Sequence, residues 1–152
     1  MTKILFVCHG NICRSPMAEF VLKDMVQRRK LDHRFYIASA ATSTEELGNP
    51  VHHGTRNKLA QYGISVAGKR AVQITKADYD AYDYLIAMDS RNLTNMQRII
   101  GQDTQNKVCR LLDFTQRPRD IADPWYTGNF DVTYSDVIEG CEALLESILS
   151  ST

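Results

Sequence analysis

Short apolar runs of strand length alternate along this chain with stretches whose apolar residues recur at helical spacing, and that alternation most constrains the fold. Lys3 to Cys8, Phe35 to Ala38, Tyr84 to Met88 and Lys107 to Leu112 read as four strands. Helical periods follow Ser15-Pro16, run from His53 to Tyr62 and from Ser90 to Ile100, and close the chain from Val132 to Leu149. Strands separated by helices predict an α/β fold with a parallel sheet, because right-handed crossovers place helices on both faces. Ligands of such sheets bind at the carboxyl ends of strands near the switch in strand order. Three loops therefore share one candidate site: Cys8 to Ser15, Ser39 to Pro50 and Asp113 to Asn129.

Local signals set the expected boundaries. Ser15 is expected to cap the first helix with Pro16 in its first position, and Met17, Phe20, Val21, Leu22 and Met25 form its apolar stripe. Glu19, Lys23, Asp24, Arg28 and Arg29 fall on the other side of that helix. Gly63 closes the second helix, Thr75 and Asp78 have capping-box spacing before a short helix, and Ser90 is expected to cap the next. The last helix keeps Val137, Ile138, Cys141, Leu144, Leu145, Ile148 and Leu149 on one face. No repeat, low-complexity tract or linker interrupts the pattern, so residues 1–152 are expected to form one domain.

The first loop reads Cys8-His9-Gly10-Asn11-Ile12-Cys13-Arg14-Ser15, with five residues between a cysteine and an arginine. A loop from an apolar strand into a helix N-terminus lets backbone N–H groups and the helix dipole converge on an anion. Gly10 and Asn11 tolerate left-handed backbone. Arg14 offers a planar fork for two phosphoryl oxygens and keeps its charge at physiological pH. The dipole, the loop amides and Arg14 all favour the thiolate of Cys8, a nucleophile that needs no separate base.

A phosphate ester cleaved by that thiolate also needs a proton for its leaving group, and this assistance is worth roughly 10²–10⁴-fold in rate. Asp123, in Asp123-Pro124-Trp125-Tyr126 after the fourth strand, is the leading candidate. Asp89, Asp113 and Asp120 compete with it, and an Asp-Pro pair is also a common turn former. Trp125 and Tyr126 are either aromatic walls for a ring-bearing substrate or loop anchors.

Composition removes several classes. Eighteen basic residues balance eighteen acidic ones, so no nucleic-acid or membrane-surface partner is expected. The apolar runs are too short for a signal-peptide core or a membrane span, and a cytoplasmic location is expected. The four cysteines, at 8, 13, 109 and 141, show no zinc spacing, so neither a metal nor a cofactor is expected.

Val7-Cys8-His9-Gly10-Asn11-Ile12-Cys13-Arg14-Ser15-Pro16, Ser39-Ala40-Ala41-Thr42-Ser43, Gly48-Asn49-Pro50 and Asp123-Pro124-Trp125-Tyr126 together resemble the low-molecular-weight protein tyrosine phosphatases over nearly the whole chain. The resemblance implies a four-stranded parallel sheet of order 2-1-3-4 and metal-free, two-step hydrolysis of phosphotyrosine and aryl phosphates. On that likeness phosphocysteine is expected to form on Cys8, with Asp123 as general acid and then base and inorganic phosphate as the product. By position, Asn11 and Ser39 hold the loop, Ser15 donates to the Cys8 thiolate, and His9, Gly10, Ile12 and Cys13 complete the cradle. Cys13 matches a second loop cysteine that forms a reversible, protective disulfide with Cys8. Ile12 resembles the phosphotyrosine type, where phosphoarginine phosphatases tend to carry threonine. Thr44-Glu45-Glu46 stand where family members often place an aromatic residue, so Glu45 implies a more polar wall beside Trp125 and Tyr126. Val72 stands where relatives commonly have arginine.

Two other functions fit parts of the pattern. Arsenate reductases share the loop but need two further cysteines to relay a disulfide, and Cys109 and Cys141, 32 positions apart, read as packing residues. A phosphate-sensing protein without turnover would keep the loop and have no use for Asp123 as an acid.

Overall fold

A computed structural model describes residues 1–151; Thr152, the last residue of the expected unit, lies outside the described residues. Four parallel strands, β1 (Thr2–Cys8), β2 (Phe35–Ala41), β3 (Tyr84–Ala87) and β4 (Val108–Arg110), form one sheet of order β2-β1-β3-β4. The helices are α1 (Arg14–Arg28), α2 (His53–Ala60), α3 (Asp78–Ala81), α4 (Ser90–Ile100), α5 (Pro124–Thr127) and α6 (Phe130–Ser150).

The two-residue alternation of β1 divides the core. Ile4, Phe6 and Cys8 point into the larger layer, with Met17, Val21 and Leu22 of α1 and Val137, Cys141 and Leu144 of α6. Leu5 and Val7 point the other way, against Tyr79 of α3 and Met96 and Ile100 of α4. A central strand buried on both faces must be apolar throughout, as Ile4-Leu5-Phe6-Val7 is. Cys8 ends this strand on the α1 side, so the loop that follows turns straight into α1 and carries the cysteine to its N-terminus.

Several boundaries differ from the expectations. β2 continues to Ala41, its backbone paired to β1 as far as Cys8, so Ser39 lies in a strand rather than in the loop. Helix α1 begins at Arg14, with Cys13 at the cap position and no capping side chain; Ser15 is already inside, its hydroxyl committed elsewhere. Asp89, not Ser90, caps α4, because its carboxylate accepts from Asn92 N while Asp89 N donates to the Asn92 side-chain oxygen. Only half of the Thr75 box exists: Asp78 Oδ2 accepts from Thr75 N at 2.8 Å. β4 is short because Leu111–Phe114 coil into a 3₁₀ turn under α6, and the following loop contains α5. Glu19 is not on an outer face; it is 4% exposed.

Candidate active site

Beyond the carboxyl ends of β1 and β2, one pocket is lined by Cys8, His9, Gly10, Ile12, Cys13, Arg14, Glu45, Glu46, Asp123, Trp125 and Tyr126. Every residue expected at its floor or rim is there, and Asn11, Ser15 and Ser39 lie buried beneath it. Asn11 takes the left-handed conformation, φ 59°. Gly10 does not, contrary to expectation; a Cβ there would meet Glu46 Cγ at 3.3 Å, so its value is space.

The loop is strapped to its neighbours. Thr42 N donates to Cys8 O at 2.9 Å, Ser43 N and Oγ donate to His9 O at 3.0 and 2.9 Å, and His52 N donates to Ile12 O at 2.9 Å. Below, Asn11 Nδ2 donates to Ser15 Oγ at 2.8 Å and to Ser39 Oγ at 2.9 Å, while Asn11 Oδ1 accepts from Val72 N at 3.1 Å. Val72 thus supports the loop through its backbone, and its side chain is exposed. Ser15 Oγ lies 3.0 Å from Cys8 Sγ, and Ser15 N donates to the same sulfur at 3.4 Å.

Arg14 is 2% exposed, and its guanidinium is aimed by partners distant in sequence. Nη1 donates to Asp89 Oδ2 at 2.7 Å and to Ile121 O at 2.8 Å, and Nη2 reaches Asp123 Oδ2 at 3.4 Å. Burial works against the guanidinium charge, but the Cys8 sulfur and the Asp89 and Asp123 carboxylates outweigh it and raise its pKa. The Cys13 thiol is pushed up to about 12 by burial and by neighbouring Cys8 and Asp123, so it stays protonated.

The four candidate carboxylates now separate. Asp113 and Asp120 are bound to Arg110, Asp120 also to Ser90, and neither lines the pocket. Asp89 spends its oxygens on Asn92 N and Arg14. Asp123 alone among them lines the cavity; its Oδ1 accepts from Trp125 N at 3.0 Å, capping α5.

At the rim, His9 Nε2 and Glu45 Oε2 are 2.9 Å apart, and Asn49 Nδ2 donates to Glu46 Oε2 at 2.6 Å. Trp125 meets His52 edge-on at 5.5 Å between centroids, and His52 stacks on Phe130 at 5.4 Å. His52, Lys69 and the clamping role of Asp89 escaped the sequence reading. So did Glu19, although its four-residue spacing from Ser15 places both on one face of α1. Glu19 accepts from Ser39 Oγ and from Lys23 Nζ, both at 2.5 Å, and Lys69 Nζ lies 3.8 Å away. Burial lowers the Lys69 pKa, and Glu19 partly restores it.

The family profile described as low molecular weight phosphotyrosine protein phosphatase matches residues 3–151. The chain belongs to this family. Among its members, the low molecular weight protein-tyrosine-phosphatase YfkJ of Bacillus subtilis is 41% identical over 150 residues, covering 97% of this chain and 96% of that protein. A low molecular weight phosphotyrosine protein phosphatase of Gallus gallus is 39% identical over 149 residues, covering 94% and 93%. The crystal structure of YfkJ superposes with a TM-score of 0.95 at 40% identity, covering 100% of this chain and 97% of that one. A Drosophila arginine phosphatase also shares the fold, with a TM-score of 0.89 at 30% identity, covering 97% and 98%. The protein is a low molecular weight protein-tyrosine phosphatase, hence a hydrolase.

Proposed function

We propose that this phosphatase hydrolyses phosphotyrosine and aryl phosphate monoesters in the cytoplasm through a phosphocysteine on Cys8, with Asp123 as general acid and then base. The carrying observation is that Asp123, alone among the candidate carboxylates, lines the same cavity as the Cys8 sulfur and the Arg14 guanidinium. The Cys8 thiolate attacks phosphorus, the P–O bond to the leaving group breaks, and protonated Asp123 gives its proton to that oxygen. Water then loses a proton to the Asp123 carboxylate and attacks phosphorus. The P–S bond breaks, returning the thiolate and releasing inorganic phosphate.

Arg14 and the loop amides bind the equatorial oxygens, so both steps proceed without metal or cofactor. Trp125 and Tyr126 flank an aromatic leaving group, and Glu45 with His9 edges the opening. His9, Gly10, Ile12 and Cys13 shape the cradle, while Asn11, Ser15 and Ser39 hold it. A disulfide relay of the arsenate-reductase kind finds no support, since Cys109 lies on β4 and Cys141 sits in α6 against Ala18, both outside the pocket.

A kinetic panel of phosphotyrosine, phosphoserine and phosphoarginine peptides tests the substrate, with burst kinetics for the phosphoenzyme. Phosphotyrosine is expected to lead; preference for phosphoarginine, the substrate class suggested by the Drosophila arginine phosphatase, would overturn the reading of Ile12. Cys8→Ser should abolish turnover, and Asp123→Asn should lower kcat on aryl phosphates by about 10²–10⁴-fold. An unchanged kcat in Asp123→Asn would remove the acid assignment.

A further inference from the structure

Behind the phosphate loop runs a buried chain of polar groups whose proton directions are set from both ends. Val72 N–H can only donate, so the end of the Asn11 amide facing it at 3.1 Å is the oxygen. The Asn11 nitrogen therefore faces the two serines and spends one hydrogen on each hydroxyl oxygen, at 2.8 and 2.9 Å. Each serine retains one hydrogen of its own. That of Ser39 goes to Glu19 Oε1 at 2.5 Å, and that of Ser15 is left facing Cys8 Sγ at 3.0 Å.

One competing arrangement is available to the same atoms. If the Asn11 amide turned over, its oxygen would accept from both serines and draw the Ser15 hydrogen away from the sulfur. Ser39 would then have no hydrogen for Glu19, leaving a buried carboxylate oxygen unmet, and Val72 N–H would lose its acceptor. Lys23 Nζ meets the other Glu19 oxygen, and Lys69 Nζ lies 3.8 Å from the first. Lys69 also donates to Ser39 O at 2.9 Å, holding Ser39 against the carboxylate.

Resting on the reading of Cys8 as nucleophile, we propose that Glu19 is a positioning residue for catalysis: its buried carboxylate accepts the Ser39 hydrogen bond, orients the Ser39–Asn11–Ser15 chain, and so directs the Ser15 hydroxyl onto the Cys8 sulfur. The effect travels through four side chains from the back of the loop to the reacting atom. Glu19 itself touches neither substrate nor sulfur.

Glu19→Met, similar in volume without an acceptor, is expected to lower kcat for p-nitrophenyl phosphate by about ten- to a hundredfold, with KM moved less than about twofold. Alkylation of Cys8 by iodoacetamide at mildly acidic pH should slow in parallel, because a sulfur without its hydroxyl donor is less thiolate-like. Glu19→Gln, which keeps one acceptor oxygen, should recover part of both losses and serves as the test if Glu19→Met does not fold. Combined with Ser39→Ala, either substitution should cost no more than Ser39→Ala alone, since both interrupt one chain. Multiplying losses in the double variant, or wild-type alkylation in Glu19→Met, would overturn the positioning role. Activity retained by Cys8→Ser would instead bring down the nucleophile assignment beneath it.

Discussion

Glu45 and Glu46 place two carboxylates on the lining of the pocket that also holds Cys8 and Arg14. Glu45 is exposed and paired with His9, while Glu46 is held by Asn49, so neither charge is neutralised by a buried cation. On the proposed function, such a rim is expected to disfavour acidic residues beside the phosphotyrosine of a peptide and to favour basic ones. Exposed pairs of this kind are worth roughly 0.2–1 kcal/mol, or about 1.4- to fivefold in kcat/KM for each charge. In Glu45→Gln/Glu46→Gln, kcat/KM for a phosphotyrosine peptide flanked by lysine should fall by more than any change seen with p-nitrophenyl phosphate. The difference should shrink as ionic strength rises. Equal changes for lysine- and glutamate-flanked peptides would show that the rim reads no charge.

At the scale of elements, α6 lies close against the turn that follows β4. A Cβ added at Gly140 of α6 would stand 2.4 Å from Leu111 Cγ, the branch point of a fully buried side chain that cannot swing aside. Gly140→Ala is therefore expected to destabilise the protein by about 1–3 kcal/mol, outweighing the helix-propensity gain of about 1 kcal/mol already included in that figure. A lower urea midpoint with an unchanged slope would report it. A raised midpoint would mean the helix and turn are free to separate. Elements were legible from periodicity, but their ends were decided by competition among side chains. Asp89 displaces Ser90 as the cap of α4 because its second oxygen also holds Arg14, and Ser15 leaves the cap of α1 to face the Cys8 sulfur. Ser39 joins β2 because pairing with β1 continues as far as Cys8.

For the molecule as a whole, three groups tie stability to pH in the same direction. Burial alone would raise the Asp103 pKa, but bonds from Tyr79 Oη at 2.6 Å, Lys107 N at 2.7 Å and Val108 N at 3.0 Å bring it below its ordinary 3.8. Asp120 is lowered likewise, against burial, by Arg110 and Ser90. A depressed carboxylate contributes stability that is present above its unfolded pKa and lost as pH falls through its folded one. His52 is lowered from 6.5 by burial and by His53, so the fold favours its neutral form, which accepts from Gly54 N. Its share is complete above about 6.5 and erodes as pH falls through its lower folded value. Asp103→Asn should therefore lose stability at neutral pH while its unfolding free energy declines less steeply below about pH 4. Parallel acid-unfolding curves for variant and wild type would refute this.

By itself the sequence determined the α/β class, the four strands and the loop from Cys8 to Ser15. These rest on neighbours along the chain: apolar period, a Gly-Asn turn, and a cysteine and arginine brought together within one strand-to-helix connection. Spacing alone left Asp123 leading three competitors and the family resemblance chose it, but 109 positions separate it from Arg14 and only tertiary packing sets that distance. The same holds for Asp89, 75 positions from the guanidinium that it aims. Glu19 shows the limit most clearly, since a helical stripe records where apolar residues face and is silent on a single charge turned inward. Whether such a charge is tolerable depends on Ser39, Lys69 and Lys23 meeting it, and for Ser39 and Lys69 that depends on how β2 and the segment before α3 lie against α1.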